Sequence, residues 1–186
     1  MHGGAAPQVK RAAERRLTIW SAACSSGQEP YSLAMMLDQE ARRLAGWRIS
    51  LYASDLSDEM LARARAARYS QLEVNRGLPA RCLVKYFHKE GLDWQLADAL
   101  RSTVEFQQIN LIGTWPALPR MDVIFLRNVM IYFDEGVRRA VLLNVRRLLR
   151  PDGYLFLGSV ESAAGVDPKF HSTTIGKARC FRLADK

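Results

Sequence analysis

The stretch that decides the fold is Ile19-Trp20-Ser21-Ala22-Ala23-Cys24-Ser25-Ser26-Gly27-Gln28-Glu29-Pro30-Tyr31-Ser32. It begins as a short apolar run, as a buried parallel strand does. It then passes through a series of small residues, Ala22 to Ser26, to Gly27. Small side chains let a ligand approach the backbone closely. A strand, a tight loop of small residues and a helix form the first half of a nucleotide-binding βα unit.

The helix of this unit is predicted from apolar residues at helical spacing, namely Leu33, Met36, Leu37, Ala41 and Leu44. Pro30 suits the first helical position, because its missing N–H would have no partner there. Gly46 is predicted to end the helix. Glu29 lies near the start of the helix, where its carboxylate is placed to accept hydrogen bonds from a ligand.

Further strand and helix patterns alternate along the chain. Strands are predicted at Leu17–Ser21, Trp47–Ser54, Val104–Ile109, Met121–Leu126 and Tyr154–Gly158, and helices from about Asp58 to Ala67 and from Asp134 to the residue before Pro151. Pro151-Asp152-Gly153 is predicted to be a turn, and Phe170–Thr174 and Ala178–Leu183 a hairpin joined through Gly176-Lys177. This order predicts an α/β fold, a doubly wound, mainly parallel seven-stranded sheet of Rossmann-like type with a terminal antiparallel hairpin.

One domain accounts for the length of 186 residues. We expect an N-terminal tail at residues 1–16, with a helix end near Lys10 to Arg16, and the domain itself at residues 17–186. Tyr69 to Ser102 departs from the alternation of strands and helices. A short helix after Pro79 and a brief strand at Trp94–Leu96 indicate a small subdomain inserted at about residues 69–102.

Composition narrows the class of protein. The net charge of +8, from 27 Lys and Arg against 19 Asp and Glu, favours acidic partners. The cysteines, Cys24, Cys82 and Cys180, are odd in number and far apart, so we predict neither a disulfide framework nor a metal site. No apolar run approaches the roughly 20 residues of a membrane helix, and residues 1–16 lack the apolar core of a secretory signal. We therefore expect a cytoplasmic protein without membrane insertion.

Polar residues follow several of the predicted strands: Glu29, Asp55, Asn110, Arg127 and Asn128. Ligands of doubly wound sheets bind outside the carboxyl ends of the strands. An acid at the end of the second strand, such as Asp55, accepts hydrogen bonds from ribose hydroxyls in such folds. The alternative is that Asp55 caps the following helix in place of Ser57.

Two common nucleotide motifs are absent from the sequence. There is no G-x-x-x-x-G-K-[ST] of a P-loop and no G-x-G-x-x-G of a nicotinamide enzyme. One glycine in a loop of small residues, followed by a later acid, fits S-adenosylmethionine better. That cofactor has no pyrophosphate, and it needs acceptors for its ribose, an apolar slot for adenine and acceptors near its cationic end.

Four motifs carry a resemblance to a known family: W-S-A-A-C-S-S-G-Q-E-P-Y-S, A-S-D-L, N-L and R-N-V-M-I-Y-F-D. In order and spacing they resemble the chemotaxis receptor methyltransferases, the CheR-type protein-glutamate O-methyltransferases, over about residues 17–183. The resemblance implies a class I methyltransferase domain. Such a domain would transfer a methyl group from S-adenosylmethionine to glutamates on the cytoplasmic helices of chemoreceptors and leave S-adenosylhomocysteine.

The resemblance also assigns residues to roles. It implies that the cofactor is contacted by Ala23, Glu29, Asp55, Asn110, Leu111, Arg127 and Asn128. Tyr132 matches the family's tyrosine near the transferring methyl group and is the candidate catalytic residue. From the sequence, Tyr132 either orients the acceptor carboxylate or packs beside Phe133, and Arg127 either contacts the cofactor or serves as an ion-pair partner.

The resemblance names a partner as well, the cytoplasmic domain of a chemoreceptor. Some family members use the inserted subdomain to bind a receptor's C-terminal tether. The turn around Lys89-Glu90-Gly91 is shorter here, so we expect tether-independent recognition. We expect a monomer and no nucleic-acid partner, because no base-methylation motif and no aromatic-basic interleaving is present. The alternative function is a cofactor-binding sensor or interaction module with little methyl transfer.

The sequence departs from the family pattern in three places. Gln28 stands where the family usually has a second glutamate, and Ser159-Val160-Glu161-Ser162 differs from the usual His-Ser-Glu. Family members also carry an N-terminal helical domain that closes over the cofactor, which residues 1–16 are too few to supply. We therefore expect this chain to correspond to the C-terminal catalytic domain, with weakened cofactor affinity and turnover.

Overall fold

The computed structural model describes residues 14–184, and strands alternate with helices along most of that stretch. The strands are β1 (Arg16–Ala22), β2 (Arg48–Asp55), β3 (Arg68–Ser70), β4 (Phe87–Glu90), β5 (Asp93–Leu96), β6 (Val104–Gln108), β7 (Met121–Leu126), β8 (Leu149–Leu157), β9 (Phe170–Ile175) and β10 (Ala178–Leu183). The α-helices are α1 (Gln28–Gln39), α2 (Asp58–Ala66), α3 (Gln71–Val74), α4 (Ala80–Tyr86), α5 (Asp98–Arg101) and α6 (Glu135–Leu148), and a short 3₁₀ helix spans Met130–Tyr132.

The main sheet has seven strands in the order β6-β2-β1-β7-β8-β10-β9. The strands β6, β2, β1, β7 and β8 pair in parallel, and β10 pairs antiparallel with both β8 and β9. The expected α/β fold with a mainly parallel sheet and a terminal antiparallel hairpin is confirmed. Because parallel strands end at the same edge, the loops after β1, β2, β6 and β7 lie side by side.

Apolar side chains cover both faces of this sheet, and alternate residues of β1 serve opposite faces. Trp20 lies in the cluster beneath α6, which includes Ile124, Leu142, Leu155 and Phe181. Ile19 lies in the other cluster, with Tyr31 and Met35 of α1 and Leu61 of α2. The central strand β7 is buried along most of its length, as its apolar sequence predicts.

The stretch between α2 and β6 forms a small antiparallel sheet of its own, in the order β3-β5-β4. It contains the strand expected at Trp94–Leu96 and the helix expected after Pro79. Several hydrogen bonds and ion pairs join it to the main body. The Tyr69 hydroxyl donates to the carbonyl of Ser26 at 2.9 Å, and Lys85 Nζ lies 2.7 Å from the Asp38 carboxylate on α1.

The first helix differs from its prediction at both ends. Helix α1 begins at Gln28, with Gly27 as its N-cap, so Pro30 is the third helical residue and not the first. Pro30 is tolerated there because the first N–H groups of a helix have no partner within the helix. The helix ends at Gln39 and the chain turns before Gly46, so the apolar residues Ala41 and Leu44 lie beyond the helix.

The prediction of a turn at Pro151-Asp152-Gly153 is also wrong, because these residues lie within β8. Met121 pairs with Leu149 and Val123 with Tyr154, so β8 accommodates extra residues in a bulge between the two pairs. Gly153 permits this packing, since a Cβ there would lie 2.9 Å from the carbonyl oxygen of Asp122. The helix end expected near Lys10 to Arg16 lies largely outside the described residues, and β1 starts at Arg16.

Between residues 14 and 184, none of the helices combines the length and the apolar character that crossing a membrane would need.

Candidate functional site

The loop between β1 and α1 has an unusual backbone. Ala23, Ser25 and Gly27 all have positive φ, at 55°, 50° and 94°. Left-handed conformations cost side-chain-bearing residues energy, and they concentrate at ligand-binding sites. The Cys24 N–H donates to the carbonyl of Ser54 on β2 at 2.8 Å, which fixes the loop against the neighbouring strand. The result is a tight turn of small residues at the carboxyl edge of the sheet.

Gly27 is required in this turn for two reasons. Its φ of 94° disfavours any residue with a Cβ, and a Cβ there would lie 3.0 Å from the Cβ of the buried Ala64 on α2. The loop therefore packs directly against α2.

Glu29 lies in the first turn of α1, and its two carboxylate oxygens have different partners. The Ser21 hydroxyl donates to Oε1 at 2.8 Å, and Arg127 Nη1 lies 2.9 Å from Oε2. Ser21 is at the end of β1 and Arg127 directly follows β7. The ion-pair role that the sequence left open for Arg127 is thus present, and it joins two neighbouring strand ends.

Asp55, the last residue of β2, holds the adjacent loops with both oxygens. Oδ2 accepts from the Ser25 N–H at 2.8 Å, and Oδ1 accepts from the Ser57 N–H at 3.0 Å. The N-cap of α2 is Ser57, whose hydroxyl accepts from the Met60 N–H at 3.3 Å. Asp55 therefore does not replace Ser57 as the cap, and its carboxylate is half-exposed at the carboxyl edge of the sheet.

The loop after β6 contains Asn110 and Leu111. Asn110 is exposed, and its Oδ1 accepts from the Ile112 N–H at 3.0 Å. Leu111 is buried, and its carbonyl accepts from Trp115 Nε1 at 3.1 Å. Trp115 in turn packs edge-on against Trp20 of β1, with ring centroids 5.1 Å apart. The loop is thereby fixed beside the first strand.

The loop after β7 contains the remaining candidates. Asn128 has a φ of 58° and is exposed. Tyr132 ends the short 3₁₀ helix and is 79% exposed, so its hydroxyl faces solvent at the surface of the domain. The packing role considered for Tyr132 does not describe a side chain this exposed, whereas Phe133 packs against the core.

One residue of this region was missed by the sequence analysis. Glu161, in the loop after β8, is buried, and its carboxylate accepts backbone hydrogen bonds from the loop after β7. The sequence at Ser159–Ser162 departs from the family pattern, but it does not predict that Glu161 contacts the neighbouring loop.

Cys24 lies in the first loop, and its side chain is buried. Burial, with a further contribution from the Asp55 carboxylate, raises the pKa of the Cys24 thiol to about 12. Thiolate is the reactive form of cysteine, so Cys24 remains a protonated packing residue at neutral pH. Burial also raises the pKa of Tyr69, which holds the Ser26 carbonyl as a neutral hydroxyl.

The fold thus brings all eight predicted site residues to the carboxyl edge of β1, β2, β6 and β7. Neighbouring strands lie about 4.8 Å apart, so the four strand ends together are about as wide as a nucleoside is long. The two carboxylates are acceptors suited to hydroxyl and ammonium groups, and the turn of small residues admits a ligand against the backbone. These features fit an S-adenosylmethionine molecule laid across the strand ends.

Comparison with known families identifies the same cofactor. A family model described as "CheR methyltransferase, SAM binding domain" matches residues 5–178 of the chain. SAM is S-adenosylmethionine, so the matched domain is the cofactor-binding domain of that family.

Several chemotaxis protein methyltransferases are similar to this chain in sequence. Chemotaxis protein methyltransferase 1 of Pseudomonas aeruginosa is 44% identical over 158 residues, which are 83% of this chain and 58% of that protein. Chemotaxis protein methyltransferase Cher2 of Pseudomonas putida is 42% identical over 156 residues, 82% of this chain and 57% of that protein. The chemotaxis protein methyltransferase of Escherichia coli is 37% identical over 168 residues, 87% and 57%. The chain spans less than two thirds of the length of these relatives.

Among solved structures, the chain resembles a TehB-like SAM-dependent methyltransferase from Corynebacterium glutamicum. The TM-score is 0.54 at 14% sequence identity, and the match covers 90% of this chain and 80% of that one. At this identity the likeness shows the fold alone, which is the class I fold of SAM-dependent methyltransferases.

Proposed function

This chain belongs to the CheR methyltransferase family as its SAM-binding domain, and from that premise we propose that it methylates proteins of bacterial chemotaxis. The proposed reaction transfers a methyl group from S-adenosylmethionine to glutamate side chains on the cytoplasmic helices of chemoreceptors. The relatives named as chemotaxis protein methyltransferases support this assignment. The products are a glutamate methyl ester and S-adenosylhomocysteine.

The observation that carries the proposal is a pair of contacts at the ends of the neighbouring strands β2, β1 and β7: Arg127 pairs with Glu29 of α1, and Asp55 holds the Ser25 N–H of the loop between β1 and α1. We propose that Asp55 accepts hydrogen bonds from the ribose hydroxyls of the cofactor. We propose that Glu29, held by Ser21 and Arg127, faces its cationic amino-acid end. The remaining cofactor contacts come from the positive-φ turn at Ala23 and from the loops after β6 and β7, through Asn110, Leu111 and Asn128.

The cofactor supplies an electrophilic methyl group on a sulfonium. A glutamate side chain is ionised at pH 7, with a reference pKa near 4.3, so its oxygen attacks that methyl group without a general base. The new O–CH₃ bond forms as the S–CH₃ bond breaks, and the sulfur keeps the electron pair. The protein has to align the two reactants and exclude water, which fits a site built of loops, carboxylates and amides.

Tyr132 is the proposed catalytic residue. It follows β7 in the same loop as Arg127 and Asn128, and its exposed hydroxyl is free to meet an incoming protein side chain. A hydroxyl donates readily to a carboxylate oxygen. We propose that Tyr132 orients the acceptor glutamate by donating to the oxygen that does not attack.

The proposed partner is the acidic cytoplasmic helix bundle of a chemoreceptor, which places the protein in the cytoplasm. The net charge of +8 favours such a surface. In the small sheet, Glu90 pairs with Asp93, so β4 and β5 are joined by Gly91 and Leu92 alone. This short turn supports the proposal that recognition does not depend on a receptor tether.

A labelling assay tests the proposed function. The full chain is incubated with methyl-tritiated S-adenosylmethionine and membranes that carry a chemoreceptor, and the receptor band is then treated with mild alkali. Esters of glutamate release volatile methanol under these conditions, whereas methylated amines do not. The proposal expects base-labile label that disappears with Asp55→Ala. Cofactor binding by calorimetry without any transfer would favour the sensor or interaction module instead.

A further inference from the structure

Glu161 connects two loops of the site through a single buried carboxylate. The residue is 5% exposed. Its Oε2 accepts from the N–H groups of Asn128 at 2.8 Å and Gly158 at 2.6 Å, and its Oε1 accepts from Val129 at 3.0 Å and Met130 at 2.8 Å. A carboxylate has about four acceptor sites, so these contacts use its whole capacity.

This arrangement suits a charge that is removed from water. A buried carboxylate is costly unless hydrogen bonds replace its hydration. The N–H groups of Asn128, Val129 and Met130 are consecutive, and the left-handed φ of 58° at Asn128 is part of the turn that aims them at one point. The backbone of the loop after β7 is therefore shaped around the Glu161 side chain.

Close packing leaves little room for another arrangement. A Cβ on Gly158 would lie 2.6 Å from Glu161 Oε2 and 2.9 Å from Asn128 Nδ2. Gly158 directly follows β8, so the end of that strand, the Glu161 carboxylate and the Asn128 side chain form one packed unit. Glycine is the residue that permits this approach.

The hairpin anchors the same unit from the other side. Arg179 on β10 donates through Nη2 to the carbonyls of Glu161 at 2.6 Å and Ser159 at 3.2 Å. The loop after β8 is thus held at its backbone by β10, and its Glu161 side chain holds the loop after β7.

We infer that Glu161 is a positioning residue that sets the cofactor affinity of the site by fixing the backbone of Asn128–Met130. Arg127, which pairs with Glu29, directly precedes this segment, and Tyr132 follows it. Release of the segment would displace the proposed cofactor contact at Asn128 and the proposed catalytic group together. The identity of the ligand rests on the proposed function, whereas the effect of Glu161 on the backbone of the loop can be measured without a ligand.

The experiment compares wild type with Glu161→Gln in the full chain, at a temperature where thermal unfolding shows both to be folded. Amide hydrogen exchange reports Asn128, Val129, Met130 and Gly158, and calorimetry with S-adenosylhomocysteine reports the affinity. The Gln side chain keeps the size, but it turns an NH₂ group toward N–H donors. We expect faster exchange at these amides and an affinity lowered by roughly tenfold or more.

Glu73→Gln is the matched control. Glu73 is also a carboxylate that accepts a backbone hydrogen bond, from Ser70 at 2.9 Å, but it lies in the inserted sheet region. The control is expected to keep wild-type exchange at the four amides and wild-type affinity. Should Glu161→Gln fail to fold, Arg179→Gln leaves the Glu161 carboxylate in place and removes the backbone anchor together with the contact of Arg179 with the Phe181 ring. We then expect a smaller loss of both protection and affinity.

Two results would overturn the inference: unchanged exchange at the four amides in the folded variant, or faster exchange with wild-type affinity. In Arg179→Gln the same two results count against it. A wild-type chain that binds no S-adenosylhomocysteine would contradict the proposed function. In that case the exchange rates alone decide whether Glu161 fixes the loop.

Discussion

Arg127 Nη1 lies 2.9 Å from Glu29 Oε2, and this contact ties the end of β7 to the first turn of α1. The two residues are 98 positions apart in the chain. Glu29 is mostly covered, whereas the Arg127 side chain is about half exposed. A pair of this exposure adds little to global stability, so its importance lies in the orientation of the Glu29 carboxylate.

Glu29→Gln should therefore weaken cofactor binding more than it weakens the fold. The change removes the negative charge proposed to face the cationic end of the cofactor. We expect the affinity for S-adenosylhomocysteine, measured by calorimetry, to fall by roughly tenfold. Glu40→Gln is the control, since Glu40 directly follows the same helix, is exposed and pairs with Arg43 at 3.1 Å. Equal affinities for the two variants would exclude the proposed role of Glu29.

Asp55→Ala should abolish measurable binding. The carboxylate is the proposed ribose acceptor, and it also holds Ser25 of the first loop at 2.8 Å. The control is Asp58→Ala, which removes an exposed carboxylate from the first turn of α2. Calorimetry with S-adenosylhomocysteine separates the two variants. An Asp55→Ala protein that binds normally would show that the ribose lies elsewhere.

Tyr132→Phe should preserve cofactor binding and slow methyl transfer. The hydroxyl is proposed to orient the acceptor glutamate, and a lost orienting contact lowers turnover by roughly tenfold or more. Transfer is measured with tritiated cofactor and receptor membranes, and binding by calorimetry. Tyr154→Phe, on β8 with its ring beside Arg182, is the control that should leave both quantities unchanged. Wild-type turnover in Tyr132→Phe would show that the aromatic ring is sufficient for methyl transfer and that the hydroxyl is not needed.

Acid should loosen the contacts of the inserted sheet region. Hydrogen bonds from Lys85 and then Tyr86 lower the pKa of the Asp38 carboxyl below its ordinary value of 3.8. Backbone and side-chain hydrogen bonds from Ser70 lower the pKa of Glu73 below 4.5. A lowered pKa means that the folded state binds protons less readily than the unfolded state. The stabilisation is therefore complete above these ordinary values and is lost as the pH falls through the folded pKa values.

Urea unfolding, followed by tryptophan fluorescence, measures this effect in the double variant Asp38→Asn, Glu73→Gln. We expect the wild type to have the higher urea midpoint at about pH 6, and the difference to shrink below about pH 4. A difference that stays constant over this range would contradict the assigned role of the two carboxylates.

Gly27→Ala should destabilise the domain by more than about 1 kcal/mol, because it adds a Cβ at positive φ against the buried Ala64 of α2. The new Cβ would lie 3.0 Å from the Ala64 Cβ. Gly165→Ala serves as the control, since its Cβ would meet no heavy atom within 4 Å. Free energies of unfolding in urea should separate the two variants, and equal values would argue against the tight packing of the first loop on α2.

Much of this site was predictable because it follows from strand ends. Short apolar runs before Ala23, Asp55, Asn110 and Arg127 identify parallel strands, and the carboxyl ends of such strands meet at one edge. Local pattern therefore determines which residues become neighbours. An ion-pair role for Arg127 remained one of two alternatives, and Glu29 was not predicted as its partner, because the contact depends on side-chain rotamers and not on local sequence pattern.

Other features depend on contacts that no local pattern carries. Ala41 and Leu44 continue the helical spacing, yet α1 ends at Gln39. Pro151 and Gly153 have the composition of a turn, but pairing with β7 draws them into a bulge of β8. Glu161 follows the same principle, since its partners Asn128, Val129 and Met130 lie more than 30 positions earlier and meet it only in the folded sheet.

A crystal structure of the full chain with S-adenosylhomocysteine tests the central claim most directly. We predict density across the carboxyl ends of β1, β2, β6 and β7, with the ribose hydroxyls within hydrogen-bond distance of the Asp55 carboxylate. The amino-acid end of the ligand should lie beside Glu29 and Arg127. Density at another place, such as the cleft that Ser32 and Met36 of α1 form with Leu78 and Pro79 of the inserted region, would contradict the account.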